Sequence, residues 1–210
     1  MKTDAVVNLS VILLALECDG GSIRQKENFM RKVCLGMNIT LDGYVAGPNG
    51  ELDWAFRTMS PDMGEWITGL LRGVDTILLG HTTYLQQAAP WPSQTSEMTA
   101  LLNSHTKIVF SSRLTTLEWR NSRLATASAA EEIAHLKQQA GKNILVGGGA
   151  MLARSLARTG LIDEYHLVVH PVVLGSGKPL FKDLPHSLSL KVLSAKTFAL
   201  GAIGLTYLPA

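Results

Sequence analysis

The chain of 210 residues is 46% hydrophobic and 17% charged, with 19 basic and 17 acidic residues giving a formal net charge of +2. This is the composition of an ordinary globular domain, long enough to bury a real core. No Lys/Arg cluster appears, which excludes an electrostatic footprint for nucleic acid, and Cys18 and Cys34 lie far from CxxC spacing, as free thiols in a reducing compartment do.

Ala5 to Leu16 is apolar apart from Asn8 and Ser10. At about 1.5 Å per residue it is too short to cross a bilayer. It has the length of a signal-peptide core, yet Asp4 precedes it and Glu17-Cys18-Asp19 follows without an A-x-A site. We expect residues 1–29 to be a disordered extension or a mis-assigned start, with Met30 opening a domain that runs over 30–210; a secretion signal is the competing reading.

Val33 to Ile39 reads as a buried strand. A Gly-rich loop follows over 41–50, with turn dipeptides at Asp42-Gly43 and Asn49-Gly50. Helical spacing covers Pro61 to Leu71, and Gly73 to Gly80 is a short apolar strand. Leu85 to Thr95 reads as loop, broken by Pro90 and Pro92, and Glu97 to Leu102 as helix. Lys107 to Phe110 is a strand, Ala129 to Ala140 a helix, and Asn143 to Val146 a strand that meets Gly147-Gly148-Gly149 and then a helix. Three strands end the chain, at 164–174, 190–198 and 202–208. Short βα alternation followed by such strands predicts a mostly parallel mixed sheet with an antiparallel edge and helices on both faces.

Three strand ends share a chemistry. Gly80-His81-Thr82-Thr83, Ser111-Ser112-Arg113 and Gly147-Gly148-Gly149 each follow an apolar strand with small, polar or basic residues. Ligands of open α/β sheets sit at the carboxyl ends of strands. Glycines there let a ligand reach the backbone, and a helix N-terminus behind them suits a pyrophosphate. A Ser-Ser-Arg turn suits a phosphate monoester. The plainer reading of the glycines is a tight strand-to-helix turn, since Leu152 stands where the dinucleotide fingerprint has its third Gly. Of the acids near such a site, Asp42 is a candidate for substrate binding or proton supply, or simply a turn former. Asp53 is either a substrate ligand or the cap of a helix beginning at Trp54, and Trp54 either stacks on a flat heterocycle or fills the core. Glu65 faces solvent. His166 and His170, four residues apart on a strand, stand about 13 Å apart, too far for one ion. Gly175-Ser176-Gly177-Lys178 is not a P-loop, and we read it as a bend of the C-terminal edge at a dimer contact.

In this order the segments resemble the dihydrofolate reductase-like family, and within it stand-alone relatives of the C-terminal reductase domain of bacterial riboflavin-biosynthesis proteins. The resemblance rests on Thr40 to Ala46, Asp53-Trp54, Gly80 to Tyr84, Ser111 to Arg113, Ile144 to Gly149, Leu161 to Tyr165 and His170 to Phe181. It implies a three-layer α-β-α fold and a cytoplasmic, homodimeric, NADPH-dependent reductase of a pyrimidine- or pteridine-like heterocycle, similar to 5-amino-6-(5-phosphoribosylamino)uracil reductase. Gly80, Gly147, Gly148 and Gly149 would line the pyrophosphate, His81, Thr82 and Thr83 the phosphates, and Ser111, Ser112 and Arg113 the adenosine end. Asp42, Asp53 and Trp54 would serve the substrate. The family usually has Arg at His81 and Glu at Leu85, and a neutral His is the weaker phosphate partner. That departure motivates a rival reading, a non-catalytic nucleotide-binding module. The zinc deaminase signature H-x-E with P-C-x-x-C is absent from the sequence, so any activity is reduction alone.

Overall fold

A computed structural model describes residues 30–210; the expectations for residues 1–29 lie outside them. Its centre is an eight-stranded sheet. The strands are β1 (Val33–Thr40), β3 (Val74–Gly80), β4 (Thr106–Phe110), β5 (Ser122–Leu124), β6 (Asn143–Val146), β7 (Glu164–His170), β9 (Leu190–Thr197) and β10 (Ile203–Pro209). Their order is β5-β4-β3-β6-β1-β7-β10-β9. The six from β5 to β7 run parallel, and β10 runs against both β7 and β9. A separate pair joins β2 (Tyr44–Ala46) to β8 (Lys178–Pro179). This is the mixed sheet that the alternation predicts.

Parallel strands covered on both faces carry apolar runs rather than strict alternation, and β1 has Val33-Cys34-Leu35, β3 Ile77-Leu78-Leu79 and β6 Ile144-Leu145-Val146. On one face Val33, Leu35, Leu78, Ile108, Ile144, Val146, Tyr165 and Leu167 pack under α5 (Ala129–Lys137) and α6 (Ala150–Arg158). On the other, Cys34, Ile77, Leu79, Val109 and Leu145 meet α2 (Pro61–Arg72) and α3 (His81–Ala88). Helix α1 (Asp53–Phe56) lies before α2, and α4 (Glu97–Ser104) before β4. The buried Lys107 closes the carboxyl end of α4: its Nζ donates to the carbonyls of Leu102 at 2.9 Å and His105 at 2.9 Å and lies 4.6 Å from the Trp119 ring centre. Among the described residues no helix is long and apolar enough to cross a membrane.

Four expectations need correction. Residues 85–88 are helix, because α3 starts directly at the end of β3 and buries Tyr84 against Trp119. The strand expected to reach Leu174 stops at His170, since Pro171 has no N–H for a ladder. The helix expected to reach Ala140 ends at Lys137. The bend at 175–178 folds back over the first loop rather than along the sheet edge. Leu41 N–H donates to Val172 O at 2.9 Å, and Leu180 N–H to Gly43 O at 2.9 Å. Gly177, at φ +156°, passes so close that a Cβ would stand 2.3 Å from Ala46 O.

Candidate cofactor and substrate site

The site is built at the carboxyl ends of β4, β3, β6 and β1, which are consecutive neighbours in the sheet. Two helices begin there side by side. Helix α3 has Gly80 as its N-cap and α6 has Gly149, and neither start has a side-chain cap or an acidic residue in its first turn. The first N–H groups of each helix thus face the strand ends with no protein anion to take them. Gly148 and Gly149 have φ of +130° and +93°, where L side chains are strained. A Cβ on Gly148 would stand 2.8 Å from Thr83 Cγ2, and one on Gly149 3.3 Å from Thr83 Oγ1. Only glycine lets the two helix starts close on each other. Gln87 Nε2 holds the loop from outside by donating to Gly147 O at 3.3 Å. This cradle fits the pyrophosphate of a dinucleotide.

Beside it, the ends of β3 and β4 are joined by one hydroxyl. Ser111 Oγ accepts from the N–H groups of Arg113 and Leu114, each at 3.1 Å, and lies 2.8 Å from His81 Nδ1. With both lone pairs engaged, Ser111 has only its proton left for His81. Nδ1 is then the acceptor, and Nε2–H is the ring's remaining donor. Thr82, Ser112 and Arg113 are exposed along the same edge, while Thr83 packs against the glycines. The structure thus brings together all three strand ends singled out in the sequence.

Asp42 has a different occupation. Its carboxylate accepts from Thr40 Oγ1 at 2.6 Å, from Gly175 N at 2.8 Å and from Leu174 N at 3.2 Å. The Thr40 hydroxyl first, with those two N–H groups, holds its pKa below the usual carboxylate range. A carboxylate so held supplies no proton at neutral pH; Asp42 staples the first loop to the connection after β7. Asp53 is the first residue of α1 rather than its cap, with Leu52 at the cap, and it pairs with Arg57 at 2.6 Å in full view of solvent. Trp54 is a core residue: it is buried, with Nε1 donating to Glu51 O at 3.1 Å and its ring edge-on to His170 at 5.2 Å. Glu65 is exposed and pairs with Arg72.

Sequence reading missed the polar cluster beneath that staple. His170 is fully buried; Thr58 Oγ1 donates to its Nδ1 at 2.6 Å, and its Nε2–H donates to Asn38 Oδ1 at 3.0 Å. Burial pushes its pKa down to about 4, so the ring is neutral. The Pro after His170 marks a strand end in the sequence, but Asn38 becomes its partner only through the pairing of β1 with β7, and Thr58 only through the placement of the segment between α1 and α2.

Comparison with known proteins agrees with this architecture. Residues 31–203 match the model of the RibD C-terminal domain. The chain is 37% identical over 182 residues to the uncharacterized protein YyaP of Bacillus subtilis (strain 168), covering 84% of this chain and 94% of YyaP. A crystal structure from Shewanella sp. PV-4, provisionally named a riboflavin biosynthesis protein, superposes with a TM-score of 0.70 at 26% identity, covering 85% of this chain and 99% of that one. Dihydrofolate reductase from Enterococcus faecalis, solved with NADP(H), superposes at 0.60 over 86% of this chain and 98% of its own, and at 15% identity it shows the shared fold alone. With a dihydrofolate reductase-like sheet, an open glycine cradle at its carboxyl edge and a family match over most of its length, this chain belongs to the RibD C-terminal domain family.

Proposed function

We propose that this protein is an NADPH-dependent reductase of a small pyrimidine- or pteridine-like heterocycle, resembling 5-amino-6-(5-phosphoribosylamino)uracil reductase. The observation that carries the reading is the pair of glycine-capped helix starts, α3 and α6, at neighbouring strand ends. Gly80, Gly148 and Gly149 would take the pyrophosphate with backbone N–H groups. His81 Nε2–H and the Thr82 hydroxyl would reach adjoining phosphate oxygens, and Ser112 with Arg113 the 2′-phosphate. When bound, the cofactor supplies hydride from its nicotinamide, so the protein needs no nucleophile of its own. This chain's part is to orient the two rings, with Asp42 fixing the loop over the carboxyl end of β1. The family match and the NADP(H) complex on the same fold support this reading.

Thermal-shift titration of the full chain with NADPH and NADH tests it. A saturable stabilisation larger with NADPH is expected, because ligand that binds only the folded state raises its stability. A cooperative melt unmoved by either nucleotide would overturn it. The rival reading, a nucleotide-binding module without turnover, is favoured by one observation: His81 spends Nδ1 on Ser111 and offers a single donor where the family usually has a guanidinium. His81→Arg separates the two, since a reductase gains NADPH affinity and keeps turnover, whereas a binder gains affinity alone. We further propose a cytoplasmic homodimer formed through the terminal strand β9, where Val192 and Leu193 are 56% and 59% exposed. Light scattering of wild type and Leu193→Lys checks this, with a monomeric wild type as the contrary result.

A further inference from the structure

We propose that Cys34, Glu164 and His166 form a binding site for one zinc-class divalent transition-metal ion. The site lies at the amino ends of β1 and β7, at the opposite end of the strands from the glycine cradle. Register creates it. Cys34 pairs directly with Glu164 across the two strands, and His166 follows two residues later on the same face. Their Sγ, carboxylate oxygen and ring nitrogen lie within 4.8 Å of one another. Four ligands at about 2.0–2.3 Å around a tetrahedral ion stand roughly 3.5 Å apart, so modest side-chain rotation closes the set.

The donor chemistry selects the ion. Thiolate, imidazole and carboxylate together suit zinc and cobalt, whereas calcium and magnesium call for oxygen alone. A dication beside one thiolate and one carboxylate leaves no net charge, which a largely buried site requires. In binding, the Cys34 S–H bond breaks, an Sγ–metal bond forms and the proton leaves to solvent.

The histidine is set up for this. His166 Nε2 is buried, lies 3.0 Å from Glu164 Oε1 and lacks a well-formed hydrogen bond. The other ring nitrogen, Nδ1, faces Thr206 Oγ1 at 3.4 Å, the outer hydrogen bond that orients a ligating imidazole. Glu164 Oε2 meets Lys32 Nζ at 3.3 Å, and that lysine is half exposed and free to swing out. A cavity of about 410 Å³ opens over the three residues beneath Trp66, Gly69 and Leu70 of α2, which gives an ion its entry path and a fourth ligand its place.

The full chain, stripped with chelator, would be titrated with Zn²⁺ in competition with a chromophoric chelator, and with Co²⁺ followed by absorbance. One Zn²⁺ per chain with a Kd of about 1 μM or tighter is expected, together with a thiolate-to-cobalt charge-transfer band. Cys34→Ser should abolish the band and weaken Zn²⁺ at least about 100-fold, and Thr206→Val should weaken it about tenfold. Metal-free melting curves of the variants check that they fold. If Cys34→Ser does not fold, Glu164→Gln replaces it, with the same loss of Zn²⁺ affinity expected. Absence of the band in wild type would overturn the proposal, as would a band that survives Cys34→Ser and disappears in Cys18→Ser. Neither readout involves NADPH, so the outcome is independent of the reductase reading.

Discussion

Helices α3 and α6 begin in one way and helices α4 and α5 in another. At α4, Ser96 Oγ accepts from Thr99 N at 3.1 Å. At α5, Ser128 and Glu131 form a capping box, and the carboxylate of Glu132 lies buried in the first turn, accepting from Thr126 N at 2.9 Å and from both terminal nitrogens of Arg123. The protein fills the positive end of α5 with its own anion. At α3 and α6 it supplies glycine and nothing else. Stability governs the first pair of starts, and the second pair is left open, as the proposed cofactor's pyrophosphate would require.

Breaking the filled end should cost most. Arg123→Met leaves the Glu132 carboxylate buried without its partner and should destabilise by about 3 kcal/mol, read from denaturant unfolding, with NADPH affinity unchanged. The Glu132 pKa is depressed to about 2, mainly by Arg123, so its contribution is present above about pH 4.5 and lost as the pH falls toward 2. In the open end, Gly148→Val combines a strained φ with a clash against Thr83. We expect about 2 kcal/mol of lost stability, together with at least a 100-fold loss of NADPH affinity by titration calorimetry. Full affinity in a folded Gly148→Val protein would place the cofactor elsewhere.

His170 tests the ground between the two. Its folded pKa lies below its ordinary value, so the unfolded chain binds the extra proton and stability falls as pH drops from about 6.5 to about 4. The loss should reach at most about 3 kcal/mol, and His170→Gln should flatten that part of the curve. The smallest effect belongs to the cap: Ser128→Ala should cost about 1 kcal/mol, seen as a lower Tm, and leave nucleotide binding untouched. Should it instead weaken NADPH, the two kinds of helix start would not be separate in function.

The glycine-ended strands β3 and β6 and the helix after Gly149 are legible in the sequence because each rests on a local pattern. Helix α3 is not. His81-Thr82-Thr83-Tyr84 is a run of weak helix formers, and the segment is held by Tyr84, whose hydroxyl accepts from Trp119 N at 3.1 Å. Tertiary packing overrides propensity there. The role of Asp42 was hidden for another reason, since its partners Leu174 and Gly175 lie over 130 residues away. Distance hid the Cys34, Glu164 and His166 group too: a free thiol and an unremarkable histidine become neighbours only once β1 and β7 are known to pair in parallel.

The staple at Asp42 also has a consequence in time. The two loops it joins are anchored below by the buried Val45 and Leu180, but the bonds of the staple itself are open to solvent, so water can replace each one as it breaks. This clamp is therefore among the first parts of the domain to open, well before the sheet beneath it. Asp42→Asn, which keeps the shape but replaces one accepting oxygen with an NH2 that cannot accept, should leave the melting temperature nearly unchanged and shorten the residence of whatever lies under the clamp.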